Sequence, residues 1–297
     1  MMTPRNWLLF LCSALLWGVS WSVVKVALQY VTPLIFSFHQ SLIVTIVLVP
    51  FLFVTKRQVP RNPNTLLHLL VYGLVNGVNV VISNMGLVGE SSGISAMLTF
   101  TQPLLVFILS VTFLHESVQT RKLVGVLLGL IGVSILSIRP DEQFNDVSPF
   151  SLLLLFGAFL WASSTIYFKK FLGHVDVIVI TALQFTIGSG MLGVLSILVD
   201  GTVPIDFVLE DPVYLSLLLF NALAVSVFGT VIWLFLLRRE TATNLSTYGF
   251  LIPVIALFVG WSMLGESLNL LSLLGSGLIL VSMYTVQRDS SSNIQSN

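Results

Sequence analysis

The chain is 297 residues long and 56% hydrophobic but only 9% charged, with 13 basic and 13 acidic residues and a mean hydropathy of +0.98. A soluble fold draws on about 25% charged residues to cover its surface, so this composition excludes a soluble protein and sets most of the surface against lipid. Zero net charge removes the electrostatic case for nucleic acid, and a single cysteine, Cys12, excludes an intramolecular disulfide and a cysteine metal cluster.

The opening MMTPRNWLLFLCSALLWGVSW has the basic residue and apolar stretch of a signal peptide, but no small-x-small site interrupts the run, and it reads as a first transmembrane helix. About 20 helical residues cross the hydrocarbon core. On that length the apolar runs predict ten spans near 7–28, 33–54, 66–88, 92–114, 121–138, 149–171, 177–199, 213–237, 243–264 and 270–287. The runs are long and uninterrupted, not the short alternating segments of a β-barrel, so the expected class is all-α.

Polar side chains inside spans are costly and face the bundle interior, and several fall at helical spacing. The first span carries Ser13, Trp17 and Ser20 at steps of four and three, with Lys25 near its outer end; the second carries His39 and Gln40. The third carries Tyr72, Asn76, Asn79 and Ser83 on one face, and the fourth Ser95, Thr99 and Gln102. Gly125, Gly129 and Gly132 mark the fifth span, Trp161, Ser164 and Thr165 the sixth, Gln184 the seventh, and Gly275 and Gly277 the tenth. Amides donate and accept, and indole covers apolar surface and can face a cation. Trp17, Ser20, His39, Gln40, Tyr72, Asn76, Asn79, Ser83, Thr99, Gln102, Trp161, Ser164 and Gln184 are therefore expected to line a cavity for a small amphipathic solute. The competing reading is interhelical hydrogen bonds worth about 0.6 to 2 kcal/mol each, or hydroxyls satisfied on their own helix. His39 reads either as a hydrogen-bonded interior histidine or as a proton-sensitive group. The glycines allow close helix approach, within the chain or across a homodimer face.

Lys and Arg set orientation. With the N-terminus inside, Arg5, Lys56, Arg57, Arg61, Arg121, Lys122, Lys169, Lys170, Arg238, Arg239 and Arg288 are cytoplasmic, leaving Arg139 in an outer loop and Lys25 near the outer end of its span. Asp141, Glu142, Asp146, Asp200, Asp206, Glu210 and Asp211 fall in outer loops, so both termini are expected in the cytoplasm. The lysines Lys25 and Lys169 read as snorkelling side chains or as gates pairing with a loop acid.

The chain also repeats itself. FTQPLLVFILSVTFLHES at 100–117 echoes FLIPVIALFVGWSMLGES at 250–267, each running from a Phe through Pro103 or Pro253 to Glu116-Ser117 or Glu266-Ser267. WGVSWSVVK at 17–25 echoes WASSTIYFK at 161–169, and Gln40 falls opposite Gln184. Each half holds five spans, an odd number, so the second enters the membrane inverted. Inverted halves can exchange conformations and open one cavity to each side in turn. Glu116 and Glu266 lie where an apolar run meets water, on opposite faces, and each is expected to serve the positive end of the helix that follows, the fifth or the tenth, worth about 0.3 to 1 kcal/mol.

With Trp17-Gly18 and Lys25 in the first helix, the duplicated Pro to Leu-x-Glu-Ser stretches and the glycine-rich closing helices, the sequence resembles the EamA family of the drug/metabolite transporter superfamily over residues 7–287. The resemblance implies two inverted five-helix EamA repeats, 1–140 and 141–288, with a cytoplasmic tail at 289–297 that is expected to be disordered. It implies a central cavity lined by helices one to four and six to nine, with helices five and ten outside as scaffold or dimer surface. Many such proteins carry an arginine in the second helix where this chain has Phe38-His39-Gln40, so no anion-binding role carries over.

Catalytic patterns are not found. His115-Glu116-Ser117-Val118-Gln119 begins like H-E-x-x-H but ends in Gln, no phosphate-cradling loop is present, and no carboxylates pair within a span. The expected function is a secondary carrier in a prokaryotic plasma membrane, without cofactor or metal, moving a small metabolite such as an amino acid by alternating access. Its expected partners are that solute and the lipid bilayer, and the resemblance suggests export. The alternative is a polytopic intramembrane enzyme acting on lipid or peptide.

Overall fold

The computed structural model describes residues 2–90, 92–136, 148–200, 211–264 and 270–292. Among the described residues every regular element is a helix. The first half of the chain forms α1 (Pro4–Ala27), α2 (Pro33–Val54), α3 (Pro63–Gly89), α4 (Ser92–Thr99), α5 (Gln102–Leu114) and α6 (Thr120–Leu136). The second forms α7 (Pro149–Leu172), α8 (Val177–Asp200), α9 (Pro212–Arg239), α10 (Ala242–Tyr248), α11 (Leu251–Leu264) and α12 (Leu270–Ser292). Among the described residues seven helices are long and apolar enough to cross a membrane: α1, α2, α3, α7, α8, α9 and the pair α10–α11 taken together.

Five helices start alike, with a polar residue followed by proline: Thr3-Pro4, Thr32-Pro33, Asn62-Pro63, Ser148-Pro149 and Asp211-Pro212. Proline at the first helical position gives up an N–H that would be orphaned there anyway. The preceding oxygen accepts an N–H of the first turn, as Asp211 Oδ1 does from Val213 at 2.8 Å. In α1 and α3 the capped start precedes the apolar run by three residues, which is why hydropathy places the first and third spans late.

The fourth and ninth expected spans are not continuous. The chain turns at Phe100–Thr101 between α4 and α5, and at Gly249–Phe250 between α10 and α11. Pro103 and Pro253 explain both breaks. A proline lacks the N–H for the carbonyl four residues back, here of Thr99 or Gly249, and its ring clashes with it. Two π-helical stretches complete the departures from regular geometry, a turn at Phe168–Leu172 closing α7 and ten residues at Phe220–Gly229 within α9. At the C-terminus α12 runs to Ser292, past the expected end near 287, because neither glycine nor proline stops it. Residues 293–297 of the expected tail lie outside the described residues, as do Arg139, Asp141, Glu142, Asp146, Asp206, Glu210 and the Glu266-Ser267 pair.

Helices of the first half pack chiefly on those of the second: α2 on α8, α3 on α7 and α8, α1 on α11, and α6 on α12. The last pair meets through glycine. A Cβ on Gly125 would lie 2.3 Å from Val286 Cγ2, and one on Gly132 would lie 2.9 Å from the carbonyl oxygen of Gly275. Gly277 has nothing within 4 Å of its would-be Cβ, so the close approach uses the α6 glycines inside one chain.

Four charged side chains tie this bundle together at its ends. Lys25 Nζ donates to the carbonyls of Leu87 at 2.7 Å and Glu90 at 2.7 Å, closing the C-terminal end of α3. Lys169 Nζ does the same to Leu237 at 3.1 Å and to Glu240, at the end of α9. The lysines thus hold orphan carbonyls at the negative ends of helices, and Lys169 also lies close enough to Glu116 and Glu240 to interact with their charges. Glu90 Oε1 accepts from Ser148 and Ser151 at the start of α7, each at 2.6 Å. Glu116 takes the N–H of Ala242 on Oε1 and the Thr243 hydroxyl on Oε2, each at 2.9 Å. It therefore serves the positive end of α10, in the other half, and not the start of α6 as expected. The reason is local: His115 adopts a left-handed conformation (φ 54°), which turns the chain away from α5 and aims the carboxylate across the bundle. Since α7 starts beside Glu90 and ends at Lys169, and 24 helical residues span about 36 Å, the two sets of contacts sit at opposite ends of the molecule.

Gly132→Ala forces a methyl against a backbone oxygen that cannot move aside, and is expected to cost about 1 to 3 kcal/mol. Gly277→Ala should be neutral or slightly stabilising; thermal unfolding of the two variants in detergent makes the comparison.

Candidate functional site

A cavity of about 250 Å³ lies between the two halves. Its walls come from α1, α2, α3, the α4 end with Phe100, α7, α8, α9 and the start of α11; among the described residues none comes from α6 or α12. Leu87 and Leu237, whose carbonyls are held by Lys25 and Lys169, are both lining residues, so each lysine fixes a lining residue near one end of the bundle.

One wall is aromatic. Trp17 lies 5.5 Å from Trp161 between ring centroids and 5.0 Å from Trp233, with Trp161 and Trp233 5.9 Å apart. Phe100, at the α4 break, meets Trp161 edge to face at 5.7 Å. These are favourable offset and edge geometries. A glycine makes the arrangement fit: a Cβ on Gly229 would lie 2.7 Å from Trp17 Nε1.

Polar side chains stand among apolar ones on the remaining walls. Gln40 Nε2 donates to Ser226 Oγ at 2.6 Å, and Ser226 donates on to the Asn221 carbonyl. Asn76 Nδ2 donates to the Tyr72 carbonyl at 2.8 Å, while its Oδ1 receives the Ser164 hydroxyl at 3.4 Å. Ser83 donates to Asn79 Oδ1 at 3.3 Å. Ser20, Ser164 and Thr165 also turn back to the Trp17 or Trp161 carbonyl of their own helix, as the structural reading of the hydroxyls expects. Two lining atoms are buried without any hydrogen-bond partner: Gln184 Oε1, on a side chain 6% exposed, and Thr99 Oγ1, on one 6% exposed.

Trp17, Ser20, Gln40, Tyr72, Asn76, Asn79, Ser83, Thr99, Trp161, Ser164 and Gln184 of the expected set are thus brought together around one space. His39 and Gln102 are not among the lining residues. Successive helical residues point about 100° apart, and with Gln40 turned to the cavity, His39 is turned into the packing, fully buried, its Nδ1 2.8 Å from the Tyr214 hydroxyl. Gln102 is 1% exposed at the start of α5, displaced from the Thr99 face by the break between them. Conversely, Asn84 lines the cavity and is missing from the expected set although it continues the Asn76 face by eight residues. Asn221, Thr230 and Trp233 of α9 are missing too, and a 3.6-residue period could not have found them. With Ser226 they follow steps of five, four and three, because the π stretch shifts the register of the helix face.

Among the described residues, no Asp, Glu, Lys, Arg or His lines the cavity. The nearest charges named above are engaged at the bundle ends, where burial also pushes the Glu240 carboxyl pKa upward. Among the described residues no three His, Cys, Asp or Glu side chains converge as a metal site would require. Chemically the cavity offers π surface, amide donors and acceptors, and no fixed charge.

A model of the EamA-like transporter family matches the chain twice, over residues 6–138 and 149–287. YvbV of Bacillus subtilis (strain 168), an uncharacterized transporter, is 31% identical over an alignment that covers 96% of this chain and 92% of the relative. YoaV of the same organism, also an uncharacterized transporter, is 28% identical, covering 91% and 92%. A probable amino-acid metabolite efflux pump of Salmonella typhimurium (strain LT2) is 28% identical and covers 95% of each chain. One solved crystal structure shares the fold at a TM-score of 0.78 with 15% identity, covering 96% of both chains.

Gly229→Ala should push the Trp17 indole off α9 and so change its contacts with Trp161 and Trp233. Tryptophan emission and near-ultraviolet circular dichroism are expected to change, while far-ultraviolet helicity stays the same.

Proposed function

We propose, from the premise that the chain belongs to the EamA-like transporter family and is a membrane transporter, not an enzyme, that it carries a small amphipathic solute of no net charge, an amino acid or a close relative of one. The observation that carries this reading is the composition of the cavity wall: four tryptophans and two phenylalanines beside amides and hydroxyls, with no charged side chain among the described residues. Placing an uncompensated net charge in such a space costs several kcal/mol. A zwitterion brings its own compensation, its polar groups meeting the amides and its side chain the indoles.

Transport proceeds by alternating access. Ten crossings in two inverted sets of five, with both termini in the cytoplasm of a prokaryotic cell, account for the basic residues and for the paired contacts at opposite ends of the bundle. The direction is export, a reading supported by the efflux pump among the relatives. Coupling by His39 is not favoured, since its imidazole is bonded to Tyr214 and lies away from the solute space.

Purified protein in liposomes should exchange neutral amino acids in counterflow, and should exchange lysine or glutamate at least about a hundred-fold more slowly. Trp161→Ala is expected to raise the apparent KM about tenfold, from lost ring contacts and apolar cover. Ser164→Ala should change it less than about threefold, its hydroxyl being occupied largely by its own helix. An absence of exchange with every solute sinks the proposal.

A further inference from the structure

Gln40 and Gln184 occupy equivalent places in the two repeats, yet they are in opposite states. Gln40 is locked onto Ser226 at 2.6 Å. Gln184 lines the same cavity with its carbonyl oxygen buried and unpartnered. The counterpart of Ser226 in the first repeat can be found from the lysine contacts. Lys25 holds the carbonyls of Leu87 and Glu90, and its repeat mate Lys169 holds those of Leu237 and Glu240, which sets α3 and α9 in register. The same register places Asn76 opposite Ser226. Asn76 lines the cavity on α3, a helix that packs against the α8 helix of Gln184.

We infer that the two glutamines exchange partners during transport, so that whichever is unpaired holds the solute. In the conformation seen here Gln40 is bonded to Ser226 and Gln184 faces the solute; in the conformation open to the other side, Gln184 is bonded to Asn76 and Gln40 faces the solute. This rests on the alternating-access reading above. In an inverted duplication the second conformation is the first with the repeats' roles interchanged. A contact between α2 and α9 in one state therefore reappears between α8 and α3 in the other. A buried amide oxygen needs a donor, and the free Gln184 Oε1 fits an ammonium, amide or hydroxyl group of the solute. When that glutamine swings onto Asn76 its place at the solute is lost and the solute is released.

The test uses full-length protein in liposomes with Cys12→Ala as background. The pairs Gln40→Cys with Ser226→Cys and Asn76→Cys with Gln184→Cys are introduced separately and together, then bridged with a bis-methanethiosulfonate reagent of two-carbon span, reversible by reductant, and mapped by mass spectrometry. Each pair is expected to bridge when present alone, read by mass spectrometry, and reduction is expected to release it. With all four cysteines present, a molecule should carry one bridge or the other and never both. Both bridges in one molecule overturn the exchange, as does failure of the 76–184 pair to bridge under conditions in which the 40–226 pair bridges. If unmodified protein exchanges no solute at all, the carrier reading falls and this inference with it. A second measurement avoids paired cysteines. Gln40→Ala and Gln184→Ala should shift the balance of the two conformations in opposite directions, about fivefold each for the loss of one hydrogen bond. The readout is the labelling rate of Ser20→Cys by an impermeant maleimide from either face. Shifts in the same direction contradict the exchange.

Discussion

Inside a bilayer there is no water to satisfy a stray donor or acceptor, so the protein must supply every partner itself. That requirement organises this structure from the helix ends inward. Polar residues ahead of proline cap the helix starts, and Lys25 and Lys169 close the ends of α3 and α9. Glu90 and Glu116 reach from one half to helix starts in the other. Hydroxyls within the helices mostly turn to carbonyls three or four residues back. Against so thorough a pattern of pairing, Gln184 and Thr99 are informative because they depart from it at the wall of a cavity.

The same contacts explain how a duplicated chain becomes one body. Both glutamates join the first half to the second, and they do so at opposite ends of α7, so neither half is an independent domain that could drift from its mate. The main packing pairs, α2 with α8 and α6 with α12, also cross between the halves. The cavity lies where they meet, which is why each repeat contributes a tryptophan and a glutamine from matching positions.

Much of this was legible in the sequence because lipid makes polarity informative. The stripe Tyr72, Asn76, Asn79 and Ser83 lies on the cavity side of α3, and Trp17 and Trp161, matched by the repeat, touch one another. What was not legible has particular causes. Hydropathy sees where lipid-facing residues begin, not where a capped helix begins, so α1 and α3 start earlier than their apolar runs. Helical spacing assumes an unbroken helix, so it places Gln102 on a face from which the break before Pro103 removes it. The period also assumes four-residue hydrogen bonding, so Trp233 could not be aligned with Asn221 through a π stretch. Sequence order assigns Glu116 to its nearest helix, whereas its partner at Ala242 is 126 residues away.

The π stretch in α9 carries a consequence of another kind. Its counterpart α3 has no such stretch, so the two repeats are not copies in their hydrogen bonding even where their sequences align. Two states related by exchanging identical repeats would be mirror terms of one equilibrium, with a constant of one. Ten residues bonded five back in only one repeat remove that degeneracy. If the repeats exchange roles as proposed, the resting ratio of the two conformations is set in part at 220–229, a stretch that also carries the lining residues Asn221 and Val225.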